Sequence, residues 1–163
     1  MYKTLIAGLF WAFSVSAYAD QINGRVVSVV DGDTITVLDN TNTQHKIRLA
    51  GIDAPEKSQP FGSTSKKSLS DLVYGKQVEV DWKKHDRYGR IVGKVLVNGM
   101  DANLMQIKRG MAWFYTKYQN EQSTQDRQEY AGAQDYAENN SIGLWADKNP
   151  TPPWNFRKQD KHN

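Results

Sequence analysis

Residues 22–49 read INGRVVSVVDGDTITVLDNTNTQHKIRL, and this stretch decides the fold. Residues 22–30 are rich in Val and Ile, as a strand requires. Asp31-Gly32 is a strong turn signal. From Thr34 the pattern alternates, with Ile35 and Val37 on one face and Thr34 and Thr36 on the other. The polar run 39–43 breaks it, and residues 45–49 resume it with Ile47 and Leu49 opposite Lys46 and Arg48. A three-strand meander is the reading.

Working outward, residues 52–60 form a loop broken by Pro55 and Pro60. Residues 63–74 have the spacing of an amphipathic helix, with Leu69, Leu72 and Val73 inward and Gly75 as its stop. Residues 77–82 and 91–97 read as two further strands, the second ended by Asn98-Gly99. Asp101 caps a short helix carrying Leu104, Ile107 and Met111. A third helix covers 123–139, and a Pro/Trp-rich tail follows over 147–163. Five strands with a helix between the third and fourth is the order of an OB-fold barrel. The expected class is therefore α+β, mainly β, with a five-stranded barrel and three α-helices. A single domain is expected over 20–163, with its core over about 22–146.

The beginning of the chain has another character. Lys3 precedes an apolar run over 5–15, and Ala17-Tyr18-Ala19 places small residues where a signal peptidase reads. This is the form of a secretory signal cut after Ala19, and it implies export to the periplasm or medium. The 163 residues contain no cysteine, which excludes disulfides and thiolate metal sites. The formal net charge is +3, a mild basic excess that suits a polyanion partner without requiring one. The three histidines, His45, His85 and His162, are scattered, and their spacing gives no support to zinc.

Three carboxylates stand out. Asp33 has the parity of Ile35 and Val37 and so faces the core at a strand end. Asp53 and Glu56 lie in the loop after the third strand, which neighbours the second in a meander. Asp33 and Asp53 can thus meet at one rim, where like charges repel unless a cation joins them. A hard cation with oxygen ligands answers that need. Arg48 and Arg90 could bind phosphate bidentately beside it. Taken one at a time, these residues also read as a turn cap and as solvated surface ion pairs.

Three segments lift the ambiguity. Asp31-Gly32-Asp33-Thr34, the run from Ile47 to Glu56 (IRLAGIDAPE) and Asp86-Arg87-Tyr88-Gly89-Arg90 resemble, in order and spacing, the signatures of the staphylococcal (micrococcal) nuclease family. The tail pieces Gly143-Leu144-Trp145 and Pro152-Pro153-Trp154 resemble family members too. The resemblance implies an OB-fold with three helices and Ca²⁺-dependent hydrolysis of DNA and RNA to 3′-phosphate products. It implies Asp33 and Asp53 as side-chain Ca²⁺ ligands and Ala54 as a ligand through its backbone carbonyl. Asp31 would bind through water. Glu56 would be the base for the attacking water, and Arg48 and Arg90 would stabilise the transition state. Tyr88 and Arg87 would line the nucleotide pocket, together with Tyr115 or Tyr118.

Two departures mark this chain. Ala54 stands where the family's best-known member has Thr, and that member's Lys-Pro turn has no counterpart near Tyr118-Gln119. Trp145 and Trp154 read as packing residues that pin the C-terminus. Lys66-Lys67 and Lys83-Lys84 read equally as a nucleic-acid track or as solvated faces. The alternative function is a barrel that grips nucleic acid without cutting it. No stable protein partner is implied, and a monomer is expected.

Overall fold

A computed structural model describes residues 20–159; the expected signal segment and His162 lie outside them. Strands β1 (Asp20–Val29), β2 (Thr34–Asp39) and β3 (Gln44–Leu49) form the expected antiparallel meander. β4 (Ile52–Asp53) is a two-residue strand, and helix α1 (Gly62–Val73) follows it. β5 (Gln77–His85) pairs antiparallel with β1 on one side and with β6 (Ile91–Val97) on the other. β6 then pairs parallel with β3, through Ile47↔Ile91 and Leu49↔Gly93. That last pairing joins the two edges, so β1, β2, β3, β6 and β5 close a five-stranded barrel.

The alternation read from the sequence fills the interior. Val26, Ile35, Val37, Ile47, Leu49, Val80 and Val95 are all buried there. Central strand β1 passes so close to β2 that a Cβ at Gly24 would collide with the Leu38 carbonyl. β5 runs three residues past the expected end at Trp82, across an irregularity between Trp82 and Lys84.

α1 buries Leu69, Leu72 and Val73, and Gly75 just beyond it adopts a left-handed φ of 74°. The short strand β7 (Met100–Asp101) leads into α2 (Ala102–Lys108), where Asp101 accepts from the Leu104 amide as expected of an N-cap. β8 (Trp113–Phe114) pairs with β4, setting Asp53 against Trp113. α3 (Thr124–Asn139) is N-capped by Ser123.

The expected three helices are joined by a fourth. Within the tail, Pro153–Gln159 forms helix α4. Proline is well suited to a first helical position, where its missing N–H leaves no bond unmade. Among the described residues no helix is long and apolar enough to cross a membrane.

Candidate active site

The rim where β1 turns into β2 carries the first carboxylates. In the turn, the Asp33 amide donates to Asp31 Oδ1 at 3.0 Å. Gly32 has no side chain because Ser65 of α1 and the Ala54 methyl already fill that space. Its carbonyl accepts from the fully buried Gln106 of α2 at 2.8 Å. Asn103, also fully buried, donates to the carbonyls of Ala50 and Gly93, at 3.0 and 3.1 Å, and so ties down the turn before Asp53. Gln106 and Asn103 are structural anchors that the sequence reading missed. Their signal was two polar residues three apart, flanked by Leu104 and Ile107 on a short helix.

Asp33 and Asp53 meet as expected, and both are buried. Asp33 Oδ2 accepts from the Ala54 amide at 2.7 Å. Arg48 joins the pair: its Nη2 lies 3.1 Å from Asp33 Oδ2 and 2.9 Å from Asp53 Oδ1. Its Nη1 donates to the carbonyls of Leu49 and Ile52, each at 2.9 Å. Arg48 is therefore folded into the rim, not solvated as its outward parity on β3 suggested.

Arg90 arrives from the β5–β6 turn. Asp86 accepts the amides of Tyr88 and Arg90 and holds Arg90 Nε at 2.7 Å. Burial opposes ionisation of Asp86, but these Arg90 bonds prevail and lower its pKa. Thr34 connects the two sides, donating to Asp33 Oδ1 at 3.0 Å and accepting from Arg90 Nη1 at 3.5 Å. Glu56 stands on the loop after β4, partly exposed, its amide bonded to Gln59 Oε1 at 3.1 Å.

The electrostatics of the rim are unbalanced. Burial and the neighbouring Asp33 charge push the Asp31 carboxyl up to about 6. Burial raises Asp53 as well, despite the opposing pull of Arg157 and Arg48. The donors are oxygens, with no sulfur or imidazole among them. Among the described residues no three His, Cys, Asp or Glu side chains converge as a metal cage. The Asp33–Asp53 pair fits a hard cation whose other positions go to a carbonyl and water, and the excess negative charge at Asp31 is what such an ion would offset.

Arg157 of α4 was not anticipated. Its Nη1 lies 2.7 Å from Glu56 Oε1 and its Nη2 2.7 Å from Asp53 Oδ2. Burial disfavours its charge, but the bonds to Asp53 and Glu56 outweigh that and raise its pKa. No local pattern in the sequence links residues so far apart.

The aromatic candidates fall into two groups. Tyr88 is well exposed beside Arg87, whose Nη2 donates to the Tyr88 hydroxyl at 2.7 Å, and Arg90 lies 5.5 Å from the Tyr88 ring centroid. Tyr115 and Tyr118 meet edge to face at 5.2 Å. Tyr115 also stacks on Trp154, at 5.2 Å and 15° between planes. Trp145 and Trp154 both pack edge-on against Trp113, so both pin the C-terminal segment as expected. Of the lysine pairs, Lys84 pairs with Glu121 and lies 5.1 Å from the Tyr118 ring centroid, while Lys67 pairs with Asp71 on α1.

Comparison with known proteins bears on this arrangement. Residues 46–147 match the family model described as "Staphylococcal nuclease homologue". An "Uncharacterized endonuclease" of Haemophilus influenzae is 46% identical over 163 residues, covering 99% of this chain and 88% of that one. An Escherichia coli protein of the same description is 41% identical, covering 91% of this chain and 94% of its own. A "Micrococcal nuclease" of Shigella flexneri is 38% identical, covering 98% and 94% respectively.

Proposed function

The chain belongs to the staphylococcal nuclease family and is a nuclease, and we propose that it is an exported, Ca²⁺-dependent one that cuts DNA and RNA to 3′-phosphate products. The observation that carries this reading is the convergence on one barrel rim of the buried pair Asp33 and Asp53 with Arg48, Glu56 and the Thr34-linked Arg90.

In this reading Asp33, Asp53 and the Ala54 carbonyl would hold Ca²⁺, and Asp31 would assist through water. Ca²⁺ accepts irregular oxygen coordination and supplies positive charge to the scissile phosphate. Glu56 takes the proton of a water placed for attack on phosphorus, and its partial exposure leaves room for that water. The bond to the 5′-oxygen breaks, which leaves phosphate on the 3′ side. Arg90 would lie near the leaving oxygen; Asp86 holds its Nε at 2.7 Å and its Nη1 reaches Thr34 at the rim. Arg48 binds a non-bridging oxygen as negative charge builds. Tyr88 and Arg87 line the nucleotide pocket with Tyr115 or Tyr118. Tyr118 is exposed, while Tyr115 is stacked on Trp154.

The test is digestion of single-stranded DNA and of RNA with Ca²⁺ or with excess EDTA, followed by end-group analysis. Cutting only with Ca²⁺, to 3′-phosphate and 5′-hydroxyl ends, is expected. Full activity in EDTA, or 5′-phosphate ends, would overturn the roles given to Asp33, Asp53 and Arg90. N-terminal sequencing of protein recovered outside the cytoplasm should begin near Asp20.

A further inference from the structure

The proposed site has a tenant from its own chain. Arg157 grips Asp53 with a two-pronged fork, Nη2 to Oδ2 at 2.7 Å and Nη1 to Oδ1 at 3.2 Å, and shares Nη1 with Glu56 Oε1 at 2.7 Å. Asp53 Oδ1 also receives Arg48 Nη2 at 2.9 Å. Both oxygens of the aspartate are thus engaged by guanidinium groups. An ion coordinated there would meet Arg157 at the same atoms, as a like charge in a partly buried setting where repulsion is poorly screened. Glu56 Oε1, meanwhile, is occupied by the same guanidinium in a charge-assisted bond.

The element that carries Arg157 has little anchorage in the core. Only Pro153 of α4 is buried, and the Arg157 side chain is 41% exposed. What holds the segment is a set of contacts at the rim itself. Trp154 lies on Tyr115 and against Trp113, and Gln59, on the Glu56 loop, donates to the Thr151 carbonyl.

We propose that α4 is a displaceable plug: Arg157 occupies the carboxylates that the divalent cation needs, so cation binding and α4 docking exclude one another. Cation arrival then has two consequences. It frees Asp53 from the fork and releases Glu56 for its task. By linkage, a change that weakens docking raises the fraction of chains open to the cation and so tightens cation binding, until docking no longer competes. The inference rests on the cation reading above and adds regulation to it.

The experiment is calorimetric titration of the full chain with Ca²⁺ alone, without substrate, for the unaltered protein, Arg157→Gln, Arg157→Lys and Lys158→Gln. Arg157→Gln should tighten Ca²⁺ binding by about tenfold, within the usual range of coupling between sites. Arg157→Lys keeps the charge but not the fork and should fall between. Lys158→Gln removes the same charge from the same helix but leaves the Arg157 fork on Asp53 in place, so affinity should change less than about twofold. Amide exchange over residues 153–159 should quicken when Ca²⁺ is added to the unaltered protein. Thermal melts establish that each variant is folded. Equal Ca²⁺ affinity in the unaltered protein and Arg157→Gln, or weaker binding in the variant, would overturn the plug and leave the cation reading standing. So would an effect of Lys158→Gln as large as that of Arg157→Gln. Absence of Ca²⁺ binding in all four proteins would overturn the cation reading, and the plug with it.

Discussion

The barrel carries two acidic clusters, and they are built on opposite plans. Around Asp101 each carboxylate is matched by donors: Asp101 and Asp126 share one lysine, and a backbone amide and a hydroxyl satisfy the rest of Asp101. Asp101 Oδ1 caps α2 at the Leu104 amide, and Oδ2 accepts from the Tyr130 hydroxyl at 2.8 Å. Lys94 lies 2.6 Å from Asp126 and 3.4 Å from Asp101. Burial and the Asp101 charge keep the Tyr130 hydroxyl firmly protonated, so it stays a donor. Burial disfavours the charge on Lys94, yet Asp126 and Asp101 together hold its pKa above the usual lysine value. Around Asp33, by contrast, Asp31, Asp53 and Glu56 also gather, with Arg48 and Arg157 as the cations in direct contact and Arg90 linked through Thr34 but already paired with Asp86, and Asp31 and Asp53 are pushed above the ordinary carboxylate range. A balanced cluster stabilises the fold. An unbalanced one stores repulsion that a substrate or an ion can relieve, which is the mark of a functional site.

The largest effect that would sharpen this contrast separates function from folding. Glu56→Gln and Arg90→Ala should each lower turnover by about 10²-fold or more, as loss of a general base or a transition-state donor does. Glu56→Gln should barely move the melting temperature, because Glu56 is 39% exposed. Near-normal single-turnover rates in either variant would remove the residue from the machinery.

The reverse separation is expected at the other cluster. Asp101→Ala removes a helix cap and leaves the Tyr130 hydroxyl, on a residue 1% exposed, without its acceptor. Together these should destabilise the protein by about 2 kcal/mol or more, with the specific activity of the folded fraction retained. Denaturant unfolding checks the first part. An unchanged midpoint would mean that the two clusters do not differ as described.

How much of this could be read from the sequence depends on whether the signal was local. The barrel was legible because Ile35, Val37, Ile47 and Leu49 alternate strictly with polar residues, and strand geometry turns that alternation into an inside and an outside. The same parity placed Asp33 inward beside them. The proximity of Asp33 and Asp53 followed from the meander order alone. Arg48 was harder, because parity sends it outward while its long side chain bends back to the carbonyls of Leu49 and Ile52. Gln106 and Asn103 hid because polar residues on an apolar helix face look like interruptions until the carbonyls they satisfy are seen. Arg157 left no trace, since its partners are more than 100 residues away and its neighbours suggest a solvated tail. The helix that presents it did have a cue in Pro152-Pro153, but the cue was read as a tail.

The smallest predicted effect tests the imbalance at its source. The Asp31 carboxyl moves from an ordinary value of 3.8 to about 6 on folding, so the folded state holds its proton more tightly. A group raised in this way stabilises the fold fully below about 3.8, and that contribution fades as pH rises through about 6. At neutral pH the ionised Asp31 is therefore a burden on the metal-free protein. Asp31→Asn can keep the acceptor for the Asp33 amide while removing the charge. It should raise the melting temperature at pH 8 by about 3 °C, and the gain should disappear below about pH 4. Saturating Ca²⁺ should shrink the gain at pH 8, since the ion offsets the same charge. The equivalent change in the balanced cluster, Asp126→Asn, should lower the melting temperature at pH 8, because there the charge pairs with Lys94 at 2.6 Å. Melting curves of the two variants at both pH values decide the matter: if Asp31→Asn melts lower than the unaltered protein at pH 8, the rim carries no excess charge and the contrast between the clusters fails.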